Sequence, residues 1–89
     1  MVSEFMSTHT VPPGKFSPDQ LRQFAQAAQQ DPTVKGYRSF ANLGEGKVIC
    51  VMEAAGSAEV EAWFKKMGMP FDSVTKVELE GDGGNIQSA

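Results

Sequence analysis

The run KVICVMEA, residues 47–54, constrains the fold more than any other stretch. It is rich in β-branched and apolar residues and carries no glycine or proline, so it reads as a strand. Side chains along a strand alternate between its two faces. Val48, Cys50 and Met52 therefore point one way, Ile49 and Val51 point the other, and both faces are apolar. Such a strand belongs inside a sheet, with something covering each side of it.

The neighbouring segments supply the rest of that sheet and one cover. VKGYRSFAN (34–42) has the same strand composition, and the LGEG linker holds the glycines that a hairpin turn uses. In this second run Tyr37, Ala41 and Leu43 are expected on the face opposite Val34 and Phe40. FMSTHTV (5–11) alternates small polar and apolar residues, as a half-buried strand does. SVTKVELE (73–80) places Val77 and Leu79 on one side and Lys76, Glu78 and Glu80 on the other, which suits an edge strand.

Two helices separate these runs. Ser17-Pro18-Asp19-Gln20 is a capping-box opening with proline at the first helical position. Leu21, Phe24, Ala25 and Ala28 then repeat at helical spacing, and Asp31-Pro32 ends the segment. Ser57 is placed to cap a second helix with Val60, Trp63, Phe64 and Met67 as its stripe, and Gly68 suits its C-terminal exit. The order is β-α-β-β-α-β, the ferredoxin-like α+β pattern: a four-stranded antiparallel sheet with both helices on one face and strands one and three adjacent at its centre. Residues 1–80 form the single domain. GDGGNIQSA shows no periodicity and reads as a flexible C-terminal tail over 81–89.

Two helices can cover only one face, so the apolar residues of the other need a second partner, and a homodimer through the sheet is the economical one. A small domain gains from that contact, since 89 residues bury only about 60–65% of their unfolded surface. A net charge of -3 argues against nucleic acid, which calls for a basic patch. No apolar run approaches the roughly 20 residues of a membrane span, and the first ten residues lack a basic region followed by an apolar one, so neither membrane nor secretion is expected. With one cysteine there is no internal disulfide, and a cytoplasmic location follows.

Candidate chemistry rests on two residues that each occur once, His9 and Cys50. Imidazole and thiolate suit borderline metals such as nickel, copper and zinc. Adjacent strands would bring them together provided both side chains face the same side. Further donors could come from Tyr37, Glu53, the sulfurs of Met52, Met67 and Met69, or a symmetry mate. The plainer reading keeps His9 as a hydrogen-bonded sheet histidine and Cys50 as a small buried hydrophobe. Catalysis has no support from motifs: G-x-S-x-G, H-E-x-x-H, the P-loop and the dinucleotide fingerprint are all missing, and no catalytic residue is assigned. A cysteine between Ile49 and Val51 is expected to hold its proton tightly.

FMSTHTV, the following P-P-G-x-F-[ST]-x-x-Q-L, then YRSF, KVICVMEA and VTKVEL together resemble a family of small bacterial ferredoxin-like domains described as nickel-binding. The resemblance covers residues 5–80. It implies a dimer and a divalent metal site, with His9 in the first strand and Cys50 ahead of the Glu53-Ala54 pair at the recurring positions. The connection DPT after the first helix is shorter than in longer relatives of that family. The fold also resembles dimeric α+β barrels that include small monooxygenases and isomerases, which implies instead an organic ligand in a pocket lined by His9, Tyr37, Cys50 and Trp63. A third reading is a purely structural subunit whose apolar face only assembles. The sequence reading favours a non-catalytic nickel-binding dimer, with His9, Cys50, Glu53 and Tyr37 as metal ligands.

Overall fold

A computed structural model describes residues 2–89, so the domain start read at residue 1 lies outside the described residues. The elements are β1 (Ser3–Thr10), α1 (Pro18–Gln30), β2 (Val34–Asn42), β3 (Lys47–Ala54), α2 (Ser57–Lys66), β4 (Ser73–Lys76), β5 (Leu79–Asp82) and β6 (Asn85–Ser88). The first four strands form one antiparallel sheet in the order β2-β3-β1-β4. Strands one and three are central neighbours, and the α+β ferredoxin-like class holds.

Local chemistry explains the helix ends. Ser17 Oγ accepts from the Gln20 backbone N–H at 3.1 Å and Gln20 Oε1 accepts from the Ser17 N–H at 2.7 Å, closing the capping box. At the end of α1, Asp31 accepts from Lys66 of α2 at 2.8 Å and from Thr33, which holds its carboxyl well below the usual carboxylate range. The second helix begins one residue earlier than expected. Gly56, not Ser57, occupies the cap position, and the Glu59 carboxylate lies beside it where a serine side chain would otherwise serve. At the other end Gly68 N–H donates to Lys65 O and Met69 N–H to Phe64 O, with Gly68 at φ +72°, which is a Schellman exit.

Packing departs from the expected pattern in β2. Tyr37 is an extra residue in the ladder: Gly36 pairs with Met52 and Arg38 with Val51. One extra residue reverses the side-chain alternation beyond it. Val34 and Phe40 therefore fall on opposite faces: Val34 is in the core, while Phe40, opposite Ile49, is 60% exposed. The core lies between sheet and helices, around Phe5, Val34, Val48, Met52, Ala54, Val60, Trp63, Phe64 and Met69. Helix α2 buries Val60, Trp63 and Phe64, but α1 buries only Ala28, because it packs chiefly over β2. Its Leu21 and Phe24 stay half-buried and Ala25 is exposed.

The last expected strand is split. Val77 N–H still donates to Glu4 O, but beyond it the chain leaves the sheet and Leu79 pairs with Ser88. Residues 79–88 form a hairpin around Gly83-Gly84, where the sequence reading has an aperiodic tail. No described helix is long and apolar enough to cross a membrane.

The β2–β3 turn is fixed to the loop after β1, since Val11 N–H donates to Gly46 O at 2.9 Å and Gly14 N–H to Leu43 O at 2.8 Å. Gly46 (φ +73°) and Gly68 both occupy left-handed backbone, where alanine costs about 1–2 kcal/mol. A Cβ on Gly46 would in addition be driven into the Val11 carbonyl oxygen, whereas one on Gly68 meets open space. Urea unfolding should therefore show Gly46→Ala to be clearly more destabilising than Gly68→Ala.

Candidate metal centre

His9 and Cys50 face the same side of the sheet, toward the helices. Burial alternates along β1 and β3 so that Phe5, Ser7 and His9, and Val48, Cys50, Met52 and Ala54, are covered. Ser7 sits directly opposite Cys50 in the register, and His9 lies opposite Val48. The imidazole is 1% exposed and meets the Phe64 ring edge-on at a centroid distance of 4.5 Å.

Both ring nitrogens of His9 are bonded. Nδ1 lies 2.9 Å from the Pro70 carbonyl oxygen and Nε2 2.8 Å from Ser7 Oγ. A carbonyl can only accept, which assigns the proton to Nδ1 and leaves Nε2 with a lone pair toward Ser7. The Ser7 hydroxyl donates to that lone pair and has a longer contact, 3.4 Å, with the Cys50 carbonyl. On the far side of the cysteine, Ser39 O–H points at Cys50 Sγ at 3.7 Å. A polar row thus crosses three strands: Ser39 on β2, Cys50 on β3, then Ser7 and His9 on β1.

Burial sets the protonation of this row. It pushes the His9 pKa below its ordinary 6.5, against the opposing pull of the Pro70 bond and of Asp72. It pushes the Cys50 thiol up, against the hydroxyls of Ser39 and Ser7. The resting pair is a neutral imidazole with an unprotonated Nε2 and a neutral thiol.

The other two sequence-assigned ligands are elsewhere. Glu53 pairs with Glu4 on the opposite face of the sheet and borders a shallow recess with Glu4 and Lys76. Tyr37, at the bulge, donates its hydroxyl to Glu80 Oε2 at 2.7 Å, which raises its pKa. Beside it Glu4 is held above the usual range, first by desolvation and then by the Glu80 and Glu53 carboxylates, while Glu80 is held lower by Tyr37 and Glu4. Among the described residues no three His, Cys, Asp or Glu side chains converge as a metal cage. The structure therefore puts His9 and Cys50 on the same covered face of adjacent strands, with Ser7 bonded to His9 and in contact with Cys50 between them, and neither Glu53 nor Tyr37 lies on that side with them. Sequence reasoning missed Ser7 and Ser39. Their signal was strand periodicity, since Ser7 and His9 are two residues apart on one face.

A small α+β domain with a buried histidine and cysteine on adjacent central strands is the class these features define. The model of the family described as "Nickel responsive protein SCO4226-like" matches residues 5–77, and the chain belongs to that family. It is similar to the crystal structure of SCO4226 from Streptomyces coelicolor A3(2), with a TM-score of 0.76 and 26% identity over 89% of this chain and 100% of that one. No curated protein matches the chain.

A depressed histidine pKa has a thermodynamic consequence. Between the folded value and 6.5 the unfolded chain binds the proton that the folded chain refuses, so this contribution is complete above 6.5 and is lost as pH falls toward the folded value. Urea unfolding from pH 7.5 to 5.5 should show a loss of stability on acidification that is reduced in His9→Gln.

Proposed function

We propose that this chain is a non-catalytic, nickel-responsive protein that binds a divalent transition metal through His9 Nε2 and Cys50 Sγ. The observation that carries this reading is the anchoring of Nδ1–H on the Pro70 carbonyl. Metal-binding histidines commonly donate their second ring nitrogen to a carbonyl or carboxylate, which fixes the ring and leaves the other lone pair for the metal. Membership of a nickel-responsive family supports the choice of metal. Thiolate and imidazole fit such an ion. Glu53 and Tyr37 are left out of this donor set. For metal to bind, the Ser7 hydroxyl must release Nε2 and the thiol must lose its proton. When bound, the ion contributes binding energy to the folded state and no reaction step.

The reading fixes the pH dependence. With His9 already neutral, one proton leaves from Cys50 for each metal bound. Affinity for Ni²⁺ should therefore rise about tenfold per pH unit between roughly pH 6.5 and 8 in calorimetric titrations of chelator-stripped protein. Cys50→Ser should flatten that slope and weaken binding, and His9→Ala should abolish saturable binding. Unchanged affinity in both variants overturns the assignment.

The same reading includes a homodimer through the open face of the sheet. Met6, Phe40 and Ile49 are 42, 60 and 43% exposed on that face, around the half-buried Val51. Large apolar side chains grouped in this way favour a protein contact. Light scattering behind size exclusion should give a dimer mass for the parent chain and a monomer mass for the double variant Phe40→Glu/Ile49→Glu.

A further inference from the structure

The space between α1 and the sheet has no part in the His9 and Cys50 reading, beyond sharing the cysteine. It is a cavity of about 260 Å³, bordered on the helix side by Leu21, Phe24 and Ala28, on the sheet side by Gly36, Ser39 and Cys50. Its origin is the uneven packing of the two helices. Helix α1 follows β2, α2 reaches over to β3 and β4, and the small residues Gly36, Ser39, Ala25 and Ala28 leave the gap between them unfilled. Neither His9 nor Trp63 borders it, so it differs from the pocket expected from the sequence.

The chemistry of its walls defines what it would hold. The lining includes no carboxylate. Arg38 contributes to the rim, but it pairs opposite Val51, on the other face of the sheet, and its guanidinium lies 5.4 Å from the Tyr37 ring centroid. The Tyr37 hydroxyl is already committed to Glu80. The polar groups left to a ligand are neutral: the Ser39 hydroxyl, whose partner is only a weakly accepting sulfur at 3.7 Å, and the Gln29 amide, whose Oε1 lies near Gly36. A charged ligand would lose its hydration here with no counter-charge to offset the loss. Size sets the other limit. A cavity of about 150 Å³ is enough for benzene, so 260 Å³ suits a molecule of two fused rings, roughly a dozen heavy atoms or fewer.

We propose that this cavity is a binding site for a small uncharged aromatic molecule, of the size of indole, with its apolar rings against Leu21, Phe24 and Phe64 and one polar atom toward Ser39 or Gln29. The site shares Cys50 with the proposed metal ligands but includes neither His9 nor the exposed Met6, Phe40 and Ile49 of the open sheet face.

The test is a titration of the chelator-stripped full chain with indole, followed by ¹H–¹⁵N correlation spectra. The expected result is saturable shifts centred on the amides of Ala28, Gly36, Ser39 and Cys50. Two substitutions fill the cavity from different walls: Gly36→Val, where a Cβ meets Ala28 and Gln29 only at ordinary contact distances of 3.7 and 3.9 Å, and Ser39→Phe, at an exposed position. Whichever of them retains a dispersed spectrum should weaken binding by roughly tenfold or more, and the Phe40→Glu/Ile49→Glu variant should bind as the parent does. Three results would each overturn the proposal: no saturable shift, shifts centred on Met6, Phe40 and Ile49, or parent-like affinity in a folded cavity-filled variant. Loss of nickel binding in His9→Ala leaves this prediction untouched, so the two sites fail separately.

Discussion

An imidazole buried to 1% exposure is costly unless both of its nitrogens find partners, and the tertiary structure around His9 meets that demand. The Pro70 carbonyl reaches Nδ1 only because the Schellman exit at Gly68 turns the chain after α2 back over the end of β1. Ser7 reaches Nε2 because both residues lie on the covered face of one strand. Phe64, from the last turn of α2, closes the site against the ring. One histidine thus ties β1, α2 and the connection to β4 together, and the same bonds select the tautomer that leaves Nε2 basic. Structural and functional readings of His9 therefore use the same geometry: the arrangement that lets it remain in the core also leaves the lone pair that the proposed metal binding requires.

The sheet divides the molecule's chemistry between its two faces. On the helix side, burial keeps histidine and cysteine neutral, so a metal ion has to displace a proton to bind there. On the open side, Glu4, Glu80 and Tyr37 shift one another's pKa values at one end, next to the exposed apolar residues at the centre. Glu4 Oε1 is buried there with no hydrogen-bond partner, which agrees with the upward shift of that carboxyl. Backbone alternation sends Cys50 to the first face and Glu53 to the second, although only Val51 and Met52 lie between them.

Most of the fold was legible because its signals are local. The Ser17–Gln20 capping box, the stripe of Val60, Trp63 and Phe64, and Gly68 at the helix exit each depend on a few adjacent residues. The elements that escaped depend on something else. The bulge at Tyr37 inserts a residue without any turn signature, and it moved Phe40 to the face opposite Val34. The β5–β6 hairpin was written in Asp82-Gly83-Gly84-Asn85, a two-glycine turn signal, but its flanking strands are four residues each and almost entirely exposed, so they lack an apolar period. At the site, periodicity was enough to place His9 and Cys50 on one face once the register was known. It could not give the Pro70 carbonyl, a backbone atom 61 residues away, or the Glu80 carboxylate that engages Tyr37.

The central claim is that one imidazole nitrogen and one thiolate sulfur hold the metal. X-ray absorption at the nickel edge of the loaded protein tests it most directly, because sulfur and nitrogen scatterers separate by bond length, about 2.3 Å against about 2.0–2.1 Å for the comparable zinc bonds. The account predicts a sulfur shell that disappears in Cys50→Ser while nitrogen scattering remains. A shell of oxygen and nitrogen alone in the parent protein, unchanged by Cys50→Ser, would contradict it.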